Sequence, residues 1–502
     1  MRPFRTRGSR LVVGLVVAVG ALVTTASPAF ADGPTVTGGG ASFPSLLINQ
    51  WRADVARAPF NLRINYSSAG SGFGRDKFIS GALDFGQSDI AFLDDELPRV
   101  RAAGRDFVYV PVVAGALAFM FNVTGTDGRR ITNLRLTAND VCRIFTEPVM
   151  RWNDPSIVAT NPGLPLPSEL VRPVVRSDRS GTSYVLSEFC IARAPQVWSR
   201  FIAFIGSGNY GQDQYLTQRR PISQWPSGYS PQNTVSQAFA SDGVASAVAN
   251  SSTGQNSITY IETGYTKVKR LPAAKVQNAV GVFTPPLPAN STVALGFARP
   301  IGDGTFKLSY TGADPRAYFP STYSYTIAQT RGFDPAKGKV LATYLNYAVC
   351  RGQDRAERLL YSRLSSVLVN IALDATAKIP GAPPRPRGCS APPPPRLVIT
   401  APRPNVQGAT ATNGAAGGAA GGAAAGGSAS GASGAALGGA TAGGAAAGGA
   451  LGGATGGSSG GVTAPGGATT AGSVDGAVTP DGVPVDAAAG GGVEVASGAA
   501  PV

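Results

Sequence analysis

Histidine is missing from this chain of 502 residues. A protein without histidine cannot use a Ser-His-Asp triad or a Cys-His pair for nucleophilic catalysis, and it cannot form a histidine-ligated zinc site. A Ser-x-x-Lys nucleophile motif is also missing. Asp84-Phe85-Gly86 spells the magnesium-binding tripeptide of protein kinases, but the histidine-containing catalytic loop is not there, so we interpret the match as chance. The composition therefore excludes these classes of catalytic and metal site, and no cofactor or metal is expected.

Long apolar runs are also scarce. The run from Leu11 to Val23 follows four arginines, is too short for a membrane span, and precedes Ala29-Phe30-Ala31, which fits the small-x-small cleavage rule. This pattern predicts a secretory signal peptide over residues 1–31 and a mature chain that starts at Asp32. No cysteine lies near the cleavage point, so a lipid-anchoring motif is missing. We expect a secreted, extracytoplasmic protein that is periplasmic or associated with the cell envelope.

Cysteine is rare, with four residues in the chain: Cys142, Cys190, Cys350 and Cys389. An even number in an exported protein predicts disulfides, and four cysteines allow three pairings. Cys142–Cys190 and Cys350–Cys389 are favoured because each closes a loop of moderate length, for which the chain-entropy account predicts about 3–4 kcal/mol of stabilisation. The spacings do not suit a metal site.

Acidic residues are few, with 29 Asp and Glu against 43 Lys and Arg, for a formal net charge of +14. The leader contains four arginines and no acid, so its removal leaves +10. Such an excess suits nucleic acid or an anionic cell surface, but no Lys/Arg run with interleaved aromatic residues supports nucleic-acid binding. We expect no nucleic-acid partner and interpret the charge as that of a basic exported protein.

The composition divides the chain into a globular part and an extended part. Residues 32–378 have the composition of a folded protein, and their number exceeds that of most single-core domains, so two domains are expected. Residues 379–405 are Pro-rich, which predicts a stiff linker. Residues 406–502 are mostly Ala, Gly, Ser and Thr, which predicts a disordered C-terminal tail. Such a tail is either a flexible tether through a cell wall or a tolerated low-complexity segment.

Strand and helix patterns alternate along the globular part. Strands are predicted at residues 62–66, 83–90, 171–176 and 257–263, with a β-rich stretch at 106–122 that Pro111, Gly115 and Ala116 interrupt. Helices are predicted at residues 73–79, 137–145, 181–191 and 335–350, with Thr137 or Asn139 and Asp334 as N-caps. This alternation indicates an α/β fold with mostly parallel sheets. In such folds ligands lie at the carboxyl ends of strands.

Three Ser/Gly-rich segments each lead into a helix pattern. They are Gly40 to Pro44, Ala69 to Gly74 and Arg176 to Ser183. A helix N-terminus offers free N–H groups and a partial positive charge, so it is a ready anion site. Each segment alone is equally well explained as a helix cap or a tight turn, and Ser42 is expected to cap the helix that begins near Pro44. Together the three segments predict a site that encloses one tetrahedral oxyanion.

Two charged residues sharpen this prediction. Arg176 lies four residues before Ser180 and can form a bidentate pair with an oxyanion, while Asp178 can hold its guanidinium extended. Asp89 repels a bare anion but can accept a hydrogen bond from an anion that carries a proton. Phosphate keeps at least one proton at neutral pH and sulfate keeps none, so Asp89 predicts a cost to sulfate of about 1–3 kcal/mol. The plain alternative is that Asp89 caps the next turn.

Four motifs, in order, resemble those of the phosphate-binding proteins that serve phosphate ABC transporters. They are Gly38-Gly39-Gly40-Ala41-Ser42-Phe43-Pro44, Asn65-Tyr66-Ser67-Ser68-Ala69-Gly70-Ser71-Gly72, Asp84-Phe85-Gly86-Gln87-Ser88-Asp89 and Val175-Arg176-Ser177-Asp178-Arg179-Ser180-Gly181-Thr182-Ser183. Trp152-Asn153-Asp154 and Ile258-Thr259-Tyr260-Ile261-Glu262 are similar to that family as well. The resemblance spans roughly Gly38 to Ala375.

This resemblance implies an α/β, two-lobed periplasmic-binding-protein-like (type II) fold with a hinge. Lobe I would contain residues 32–112 and 319–378, and lobe II residues 113–318. Cys142–Cys190 would then lie within lobe II, and Cys350–Cys389 would fasten the start of the tail to lobe I. The implied phosphate contacts are Ser42, Phe43 through its backbone N–H, Ser71, Asp89, Arg176, Ser180, Gly181 and Thr182. Arg179 stands where the family commonly has a small residue, which adds a positive charge near the mouth of the site, and Ser42 stands where it often has threonine.

The predicted function is extracytoplasmic binding of inorganic phosphate for delivery to the permease of an ABC importer, without catalysis. The resemblance implies a monomer that is peripheral to the membrane or cell wall. The alternative is a secreted cell-surface or adhesion protein that retains the fold, which the basic charge and the long tail suit. A phosphatase-like hydrolase is disfavoured because the chain has no histidine.

Overall fold

The computed structural model describes residues 33–147, 149–207, 220–226, 228–229 and 234–389. The predicted signal peptide, the Pro-rich linker beyond residue 389 and the predicted tail lie outside these residues. Within the described ranges, no helix is both long enough and apolar enough to span a bilayer.

Thirteen strands occur in the described residues. They are β1 (Val36–Gly40), β2 (Ile64–Ser68), β3 (Phe85–Ser88), β4 (Phe107–Asn122), β5 (Arg135–Leu136), β6 (Arg172–Arg176), β7 (Ser236–Ala238), β8 (Ser257–Glu262), β9 (Lys275–Gln277), β10 (Phe283–Thr284), β11 (Arg299–Pro300), β12 (Phe306–Lys307) and β13 (Ser321–Gln329). The predicted strands at residues 62–66, 83–90, 171–176 and 257–263 correspond to β2, β3, β6 and β8.

Twelve α-helices accompany these strands in the same ranges. They are α1 (Ser45–Val55), α2 (Ser71–Ile79), α3 (Glu96–Ala102), α4 (Ala138–Thr146), α5 (Pro155–Thr160), α6 (Gly181–Arg193), α7 (Pro195–Gly206), α8 (Ala240–Ala249), α9 (Gly264–Lys269), α10 (Pro288–Leu295), α11 (Pro335–Val349) and α12 (Ser366–Thr376). Two short 3-10 helices, Arg351–Arg355 and Glu357–Leu359, join α11 to the segment that leads into α12.

Several helices begin where the sequence offers a capping side chain. Thr137 accepts a hydrogen bond from the Asp140 N–H, and the Asp140 carboxylate accepts from the Thr137 N–H in return, so Thr137 rather than Asn139 caps α4. Asp334 accepts from the Lys337 N–H and caps α11, with Pro335 in the first turn. Both caps satisfy N–H groups that have no partner inside the helix.

Eight strands form one mixed sheet in the order β2-β1-β3-β13-β4-β8-β6-β7. At one end β1 pairs in parallel with β2 and β3, and at the other β6 pairs in parallel with β7 and β8. The central pairings β3-β13, β13-β4 and β4-β8 are antiparallel. The prediction of mostly parallel pairing therefore holds at both ends of the sheet and fails in its middle.

The strand β4 runs unbroken through 16 residues, so the predicted interruption at Pro111, Gly115 and Ala116 was wrong. A proline has no N–H to donate to a neighbouring strand. Here the register with β13 shifts between Ser324 and Tyr325, opposite Pro111, which is the kind of irregularity that accommodates a missing donor. The strand therefore continues through a bulge of its own at Val112, because the adjacent residues Ser324 and Tyr325 of β13 pair with Val113 and Pro111.

Two large apolar cores and a smaller cluster, which includes Val244 of α8 and Ile261 of β8, form within one compact unit of the described residues. Core A contains residues from β1 to the first half of β4 and from β13 onward, such as Trp51, Phe85 and Tyr344, with Leu295 from α10. Core B contains residues from the second half of β4 to Phe319, such as Phe145 and Trp198. The change between the cores along β4 falls after Ala114, and β13 pairs beside it with Ser321 opposite Ala116. Two adjacent strands thus connect the cores.

Each core is closed by one disulfide. Cys142 and Cys190 are bonded with their Cα atoms 5.6 Å apart, and both belong to core B. Cys350 and Cys389 are bonded with Cα atoms 5.3 Å apart and pack against core A. The pairing favoured from loop lengths is confirmed, and the chain is covalently fastened beside core A at the last residue that the structure describes.

Candidate functional site

Four of the helices that begin just after the carboxyl ends of strands contribute to the candidate site. Three of them follow the predicted Ser/Gly-rich segments: α1 after β1, α2 after β2 and α6 after β6. The fourth, α8 after β7, was not predicted. Its first residue, Ala240, has a left-handed backbone with φ of 57°, and its N–H donates to Asp178 Oδ1 at 3.0 Å. Four N-termini with free N–H groups make this region electropositive.

Ser71 and Asp89 meet at the start of α2. Ser71 Oγ donates to Asp89 Oδ2 at 3.3 Å and accepts from the Asp89 N–H at 3.1 Å. Ser324 on β13 donates to the other carboxylate oxygen, Oδ1, at 2.6 Å. Asp89 is 4% exposed, and burial raises its pKa from 3.8 to about 6 although the two serines and the charge of Arg176 oppose the rise. The alternative that Asp89 only caps a turn does not explain a buried carboxylate of this kind.

Arg176 is held in an extended position by Asp178. Its Nε and Nη2 donate to the two carboxylate oxygens of Asp178 at 2.8 and 2.5 Å, and its Nη1 donates to Thr182 Oγ1 at 3.2 Å. A guanidinium has five N–H groups, so two remain beyond these three bonds. Both side chains are almost fully buried. The predicted role of Asp178 as the residue that orients Arg176 agrees with this geometry.

Ser180 caps α6 and lies beside Arg176. Its Oγ accepts from the N–H groups of Thr182 and Ser183 and lies 2.7 Å from Thr182 Oγ1. The start of α6 also faces Ser71 and Asp89: a Cβ added to Gly181 would lie 2.5 Å from Ser71 Oγ and 2.7 Å from Asp89 Cβ. The turns next to core A and core B therefore touch at Gly181.

Ser42 does not cap α1, so that prediction was wrong. The N-cap position is Pro44, with no side-chain cap bond, and the Ser45 N–H reaches the backbone oxygen of Ser42. The Ser42 hydroxyl faces α8 instead, because its Oγ accepts from the Ser241 N–H at 3.0 Å and lies 2.9 Å from Ser241 Oγ. The side chain is thus held at the site rather than at its own helix.

Backbone donors complete the arrangement. The N–H groups of Phe43, Ser71 and Gly181 have no acceptor among the residues that the structure describes. Phe43 is itself fixed, since its ring is buried, packs edge-on to Tyr361 at 5.9 Å, and its carbonyl accepts from the Tyr361 hydroxyl. Three chain-distant N–H donors and two guanidinium N–H groups near one buried carboxylate suit an anion that carries a proton.

The eight predicted contact residues are brought together by a chain of contacts. Ser42 and Phe43 connect through Ser241 and Ala240 to Asp178, and Asp178 connects to Arg176, Ser180, Gly181 and Thr182. Gly181 then meets Ser71 and Asp89. No predicted residue lies apart from the others.

Sequence reasoning missed three residues of this cluster. Ser241 lies in the first turn of α8, which the sequence pattern did not predict. Glu262 ends β8 in a segment that the resemblance included, but no role was assigned to it. Ser324 lies in the middle of β13, where nothing local distinguishes it. Only Glu262 carried a usable signal, namely an acidic residue at the end of a buried strand.

Arg179 does not leave a free positive charge at the mouth of the site, contrary to expectation. Its Nη1 contacts Asp76 at 2.7 Å and its Nη2 contacts Glu96 at 2.8 Å. Its carbonyl also accepts from the Gly72 N–H at 2.8 Å. Asp76 and Glu96 lie on α2 and α3 beside core A, whereas Arg179 follows β6 beside core B. The Arg179 side chain therefore forms ion pairs that link the segment after β6, beside core B, to α2 and α3, beside core A.

The kinase-like tripeptide has a structural explanation. Asp84 accepts from the Thr37 N–H at 2.8 Å and from Lys337 Nζ at 2.8 Å, and Phe85 lies in core A. Across the described ranges, no group of three or more Asp, Glu, Cys or His residues is arranged to hold a metal ion.

Comparison with known proteins places this arrangement in a family. The most similar curated proteins include the phosphate-binding protein PstS of Xylella fastidiosa strain 9a5c, 29% identical over 66% of this chain and 82% of that protein. They also include PstS of Haemophilus influenzae, 26% identical over 70% of this chain and 94% of that protein.

Solved structures of similar fold include an ancestral soluble variant of the human phosphate binding protein, with a TM-score of 0.52, 18% identity, and coverage of 70% of this chain and 99% of that one. A periplasmic phosphate-binding protein called PfluDING, bound with phosphate, has a TM-score of 0.50 and 18% identity over 70% of this chain and all of its own. The α/β, periplasmic-binding-protein-like fold that the sequence predicts is thereby confirmed for the matched part of the chain. The sequence profile of the PBP superfamily domain matches residues 24–351, which is well over half of the chain, and the protein therefore belongs to the PBP superfamily.

Proposed function

We propose that this protein binds inorganic phosphate outside the cytoplasm and delivers it to the permease of an ABC importer, without catalysing a reaction. One observation carries the proposal. Asp89, a buried acceptor, lies within a cluster of donors formed by Arg176 and the starts of α1, α2 and α6. The curated relatives named above are phosphate-binding proteins, which supports the same ligand.

The proposed contacts are Ser42, Ser71, Asp89, Arg176, Ser180 and Thr182 through their side chains, and Phe43 and Gly181 through their N–H groups. Charge-assisted hydrogen bonds of about 1.5–3 kcal/mol each would offset the loss of water from the ion. In this proposal lobe I (32–112 and 319–378) carries core A and lobe II (113–318) carries core B, with β4 and β13 as the hinge. Five buried residues depart from this division: Val113, Ala114 and Leu295 lie in the lobe II range but pack into core A, and Ile90 and Phe319 lie in the lobe I ranges but pack into core B.

The direct test is calorimetric titration of phosphate, and separately sulfate, into the exported chain stripped of bound anion. We expect one phosphate per chain and sulfate binding that is weaker by about 10- to 100-fold. A chain that binds neither ion would overturn the proposal and favour the alternative of a cell-surface protein that retains the fold. Addition of a chromogenic phosphate ester, with no product released, would support the absence of catalysis.

Selectivity should depend on pH through Asp89. At pH 8 its carboxylate is ionised and accepts the proton of phosphate, whereas a bare sulfate oxygen faces it without a hydrogen. As pH falls through about 6, the value to which burial raises the pKa of Asp89, the side chain gains a proton and can donate to sulfate. We expect the ratio of sulfate to phosphate dissociation constants to be about tenfold smaller at pH 5 than at pH 8.

The matched variant is Asp89→Asn, whose side chain can both donate and accept at any pH. Its selectivity ratio should be low and nearly the same at pH 5 and pH 8. If the ratio of sulfate to phosphate dissociation constants falls with pH in this variant as it does in the unmodified protein, a group other than Asp89 determines the pH dependence of selectivity.

The Arg179 ion pairs should hold the two lobes together once phosphate is bound. Removal of the side chain by Arg179→Ala deletes both contacts to lobe I, while Glu96 keeps its bond to Arg75 at 2.6 Å. Because Arg179 and Asp76 are about one-third exposed, solvent weakens the effect, and we expect phosphate to bind about tenfold more weakly with faster dissociation.

Arg99→Ala is the control for removal of the Arg179 ion pairs. Arg99 also pairs with Asp76, at 3.1 Å, but both residues lie on the same side of the cleft. Stopped-flow dissociation and calorimetry should show a change for Arg179→Ala and none for Arg99→Ala. Equal effects of the two variants would mean that Asp76, and not the contact between lobes, sets the affinity.

A further inference from the structure

Glu262 is a buried acid with only half of its carboxyl group satisfied. It lies at the end of β8 and is fully buried. Its Oε2 accepts from Ser241 Oγ at 2.8 Å, whereas Oε1 has no hydrogen-bond partner among the described residues. A buried carboxylate in this state is costly, so the group calls for a physical explanation beyond packing.

Ser241 connects this acid to Ser42. The two hydroxyl oxygens lie 2.9 Å apart, and only one hydrogen can lie between them. Ser42 Oγ also accepts from the Ser241 N–H at 3.0 Å. Each serine has a single hydroxyl hydrogen, so the direction of one hydrogen bond in the chain from Glu262 through Ser241 to Ser42 dictates the direction of the next.

The two protonation states of Glu262 give opposite directions. When Glu262 is ionised, Ser241 donates to it, Ser42 donates to Ser241, and no hydroxyl hydrogen of Ser42 remains for a ligand. When Glu262 carries a proton on Oε2, the oxygen that contacts Ser241, it donates to Ser241, Ser241 donates to Ser42, and the Ser42 hydrogen is free to point at an anion. One proton from solvent separates the two states; the two hydrogen bonds reverse by rotation of the hydroxyl groups, and no other covalent bond is made or broken.

We propose that Glu262 is a positioning residue that, by carrying a proton, turns the Ser42 hydroxyl toward the bound phosphate. The inference rests on the proposed function and on Ser42 as a phosphate contact. It assigns to the site a second acid with a role distinct from that of Asp89. Asp89 accepts a hydrogen bond from the ligand, whereas Glu262, when protonated, leaves the Ser42 hydroxyl free to donate to the ligand.

The surroundings of Glu262 favour the protonated state. Burial raises the pKa of Glu262 well above 4.5; its own backbone N–H, the bond from Ser241 and the charge of Arg176 lower it, and the charge of Asp89 raises it. The other titratable groups that interact with it are the tyrosines Tyr66, Tyr265 and Tyr361. Bound phosphate adds negative charge nearby, which favours the proton more strongly still.

The test compares the pH dependence of phosphate binding in the unmodified protein and in Glu262→Gln. A glutamine amide donates to Ser241 at every pH and so imitates the protonated acid. From pH 6.5 to pH 9 we expect the affinity of the unmodified protein to fall about tenfold more than that of Glu262→Gln. Phosphate ionisation and Asp89 are common to both proteins and cancel in the comparison. Glu147→Gln, in an ion pair with Arg143 far along the chain, is the control and should follow the unmodified profile.

Ser241→Ala provides a second route that does not alter the acid. It removes the hydroxyl relay but keeps the backbone N–H that Ser42 accepts from, so the Ser42 hydrogen is free at all pH values. Its pH profile should be flatter than that of the unmodified protein, as for Glu262→Gln. A profile for Ser241→Ala as steep as that of the unmodified protein would mean that Glu262 acts by charge alone and would overturn the relay.

These experiments distinguish failure of the Glu262 inference from failure of the proposed function. Parallel pH profiles for the unmodified protein, Glu262→Gln and Ser241→Ala, all with measurable phosphate binding, would overturn this inference and leave the proposed function intact. An unmodified protein that takes up no phosphate at any pH would overturn both.

Discussion

Arg176→Ala is expected to weaken phosphate binding about a thousandfold. The variant removes the two guanidinium N–H groups that are left over from the bonds to Asp178 and Thr182. Two charge-assisted hydrogen bonds of about 1.5–3 kcal/mol each correspond to a loss between about a hundredfold and ten-thousandfold. Calorimetry with phosphate at pH 8 measures the loss directly.

The same variant should also destabilise the empty protein. Asp178 is buried and would lose the partner of both carboxylate oxygens, and removal of one member of a buried pair costs about 3–5 kcal/mol. Thermal melting without phosphate must therefore accompany the titration. Arg176→Lys keeps the charge but cannot bind in a bidentate way. Its phosphate affinity should therefore lie between those of the unmodified protein and Arg176→Ala.

Arg143→Ala separates the loss of a partly exposed arginine ion pair from the loss of a ligand contact. Arg143 contacts Glu147 at 2.8 Å and Asp154 at 2.9 Å, and it lowers the pKa of Asp154 to about 2. Its replacement should lower the melting temperature and leave phosphate affinity unchanged. Unchanged affinity in Arg176→Ala, by contrast, would remove Arg176 from the site.

Gly181→Ala is the second variant with a large expected effect. A Cβ at this position would lie 2.5 Å from Ser71 Oγ and 2.7 Å from Asp89 Cβ, which is closer than real Cβ atoms approach other atoms. The start of α6 could then no longer lie against Ser71 and Asp89 in the observed arrangement. Overpacking of this kind costs about 1–3 kcal/mol, so phosphate affinity should fall between about tenfold and a hundredfold.

The stability of the empty Gly181→Ala protein should not fall, because alanine is a better helix former than glycine. In addition, the clash disappears if the start of α6 moves away from Ser71 and Asp89. Gly206→Ala is the matched control: Gly206 ends α7, and an added Cβ there meets no atom within 4 Å. Equal phosphate affinities for the two variants would show that the contact at Gly181 is not needed for binding.

The local elements were predictable because their signals are local. The caps Thr137 and Asp334 lie within a few residues of the N–H groups that they satisfy, and Ser180 lies two residues before Thr182. The strands β2, β6 and β8 follow from short β-branched or aromatic stretches. The disulfide pairing followed from loop length, since both bridges close fewer than fifty residues.

The relation between elements was less predictable. The interruption expected at Pro111 did not occur because β4 pairs with β13, more than two hundred residues later, on both sides of a bulge at Val112. Arg179 was expected to be a free charge, but its partners Asp76 and Glu96 come from helices about a hundred residues earlier. Ser42 was expected to cap its own helix, yet it contacts Ser241, 199 residues away. In each case the partner that decided the outcome lies outside any sequence window.

The sequence by itself determined the kind of chemistry available: no histidine for catalysis, serine and glycine at the starts of helices, one arginine and one aspartate to read an anion, and the order of motifs shared with a family. Only the tertiary structure decided which of these groups meet, and it added Ser241, Glu262 and Ser324, which the sequence did not single out. The physical reason is that a hydrogen bond needs atoms about 3 Å apart, and for residues on different strands and helices that distance is set by the packing of the two cores and not by the residues themselves.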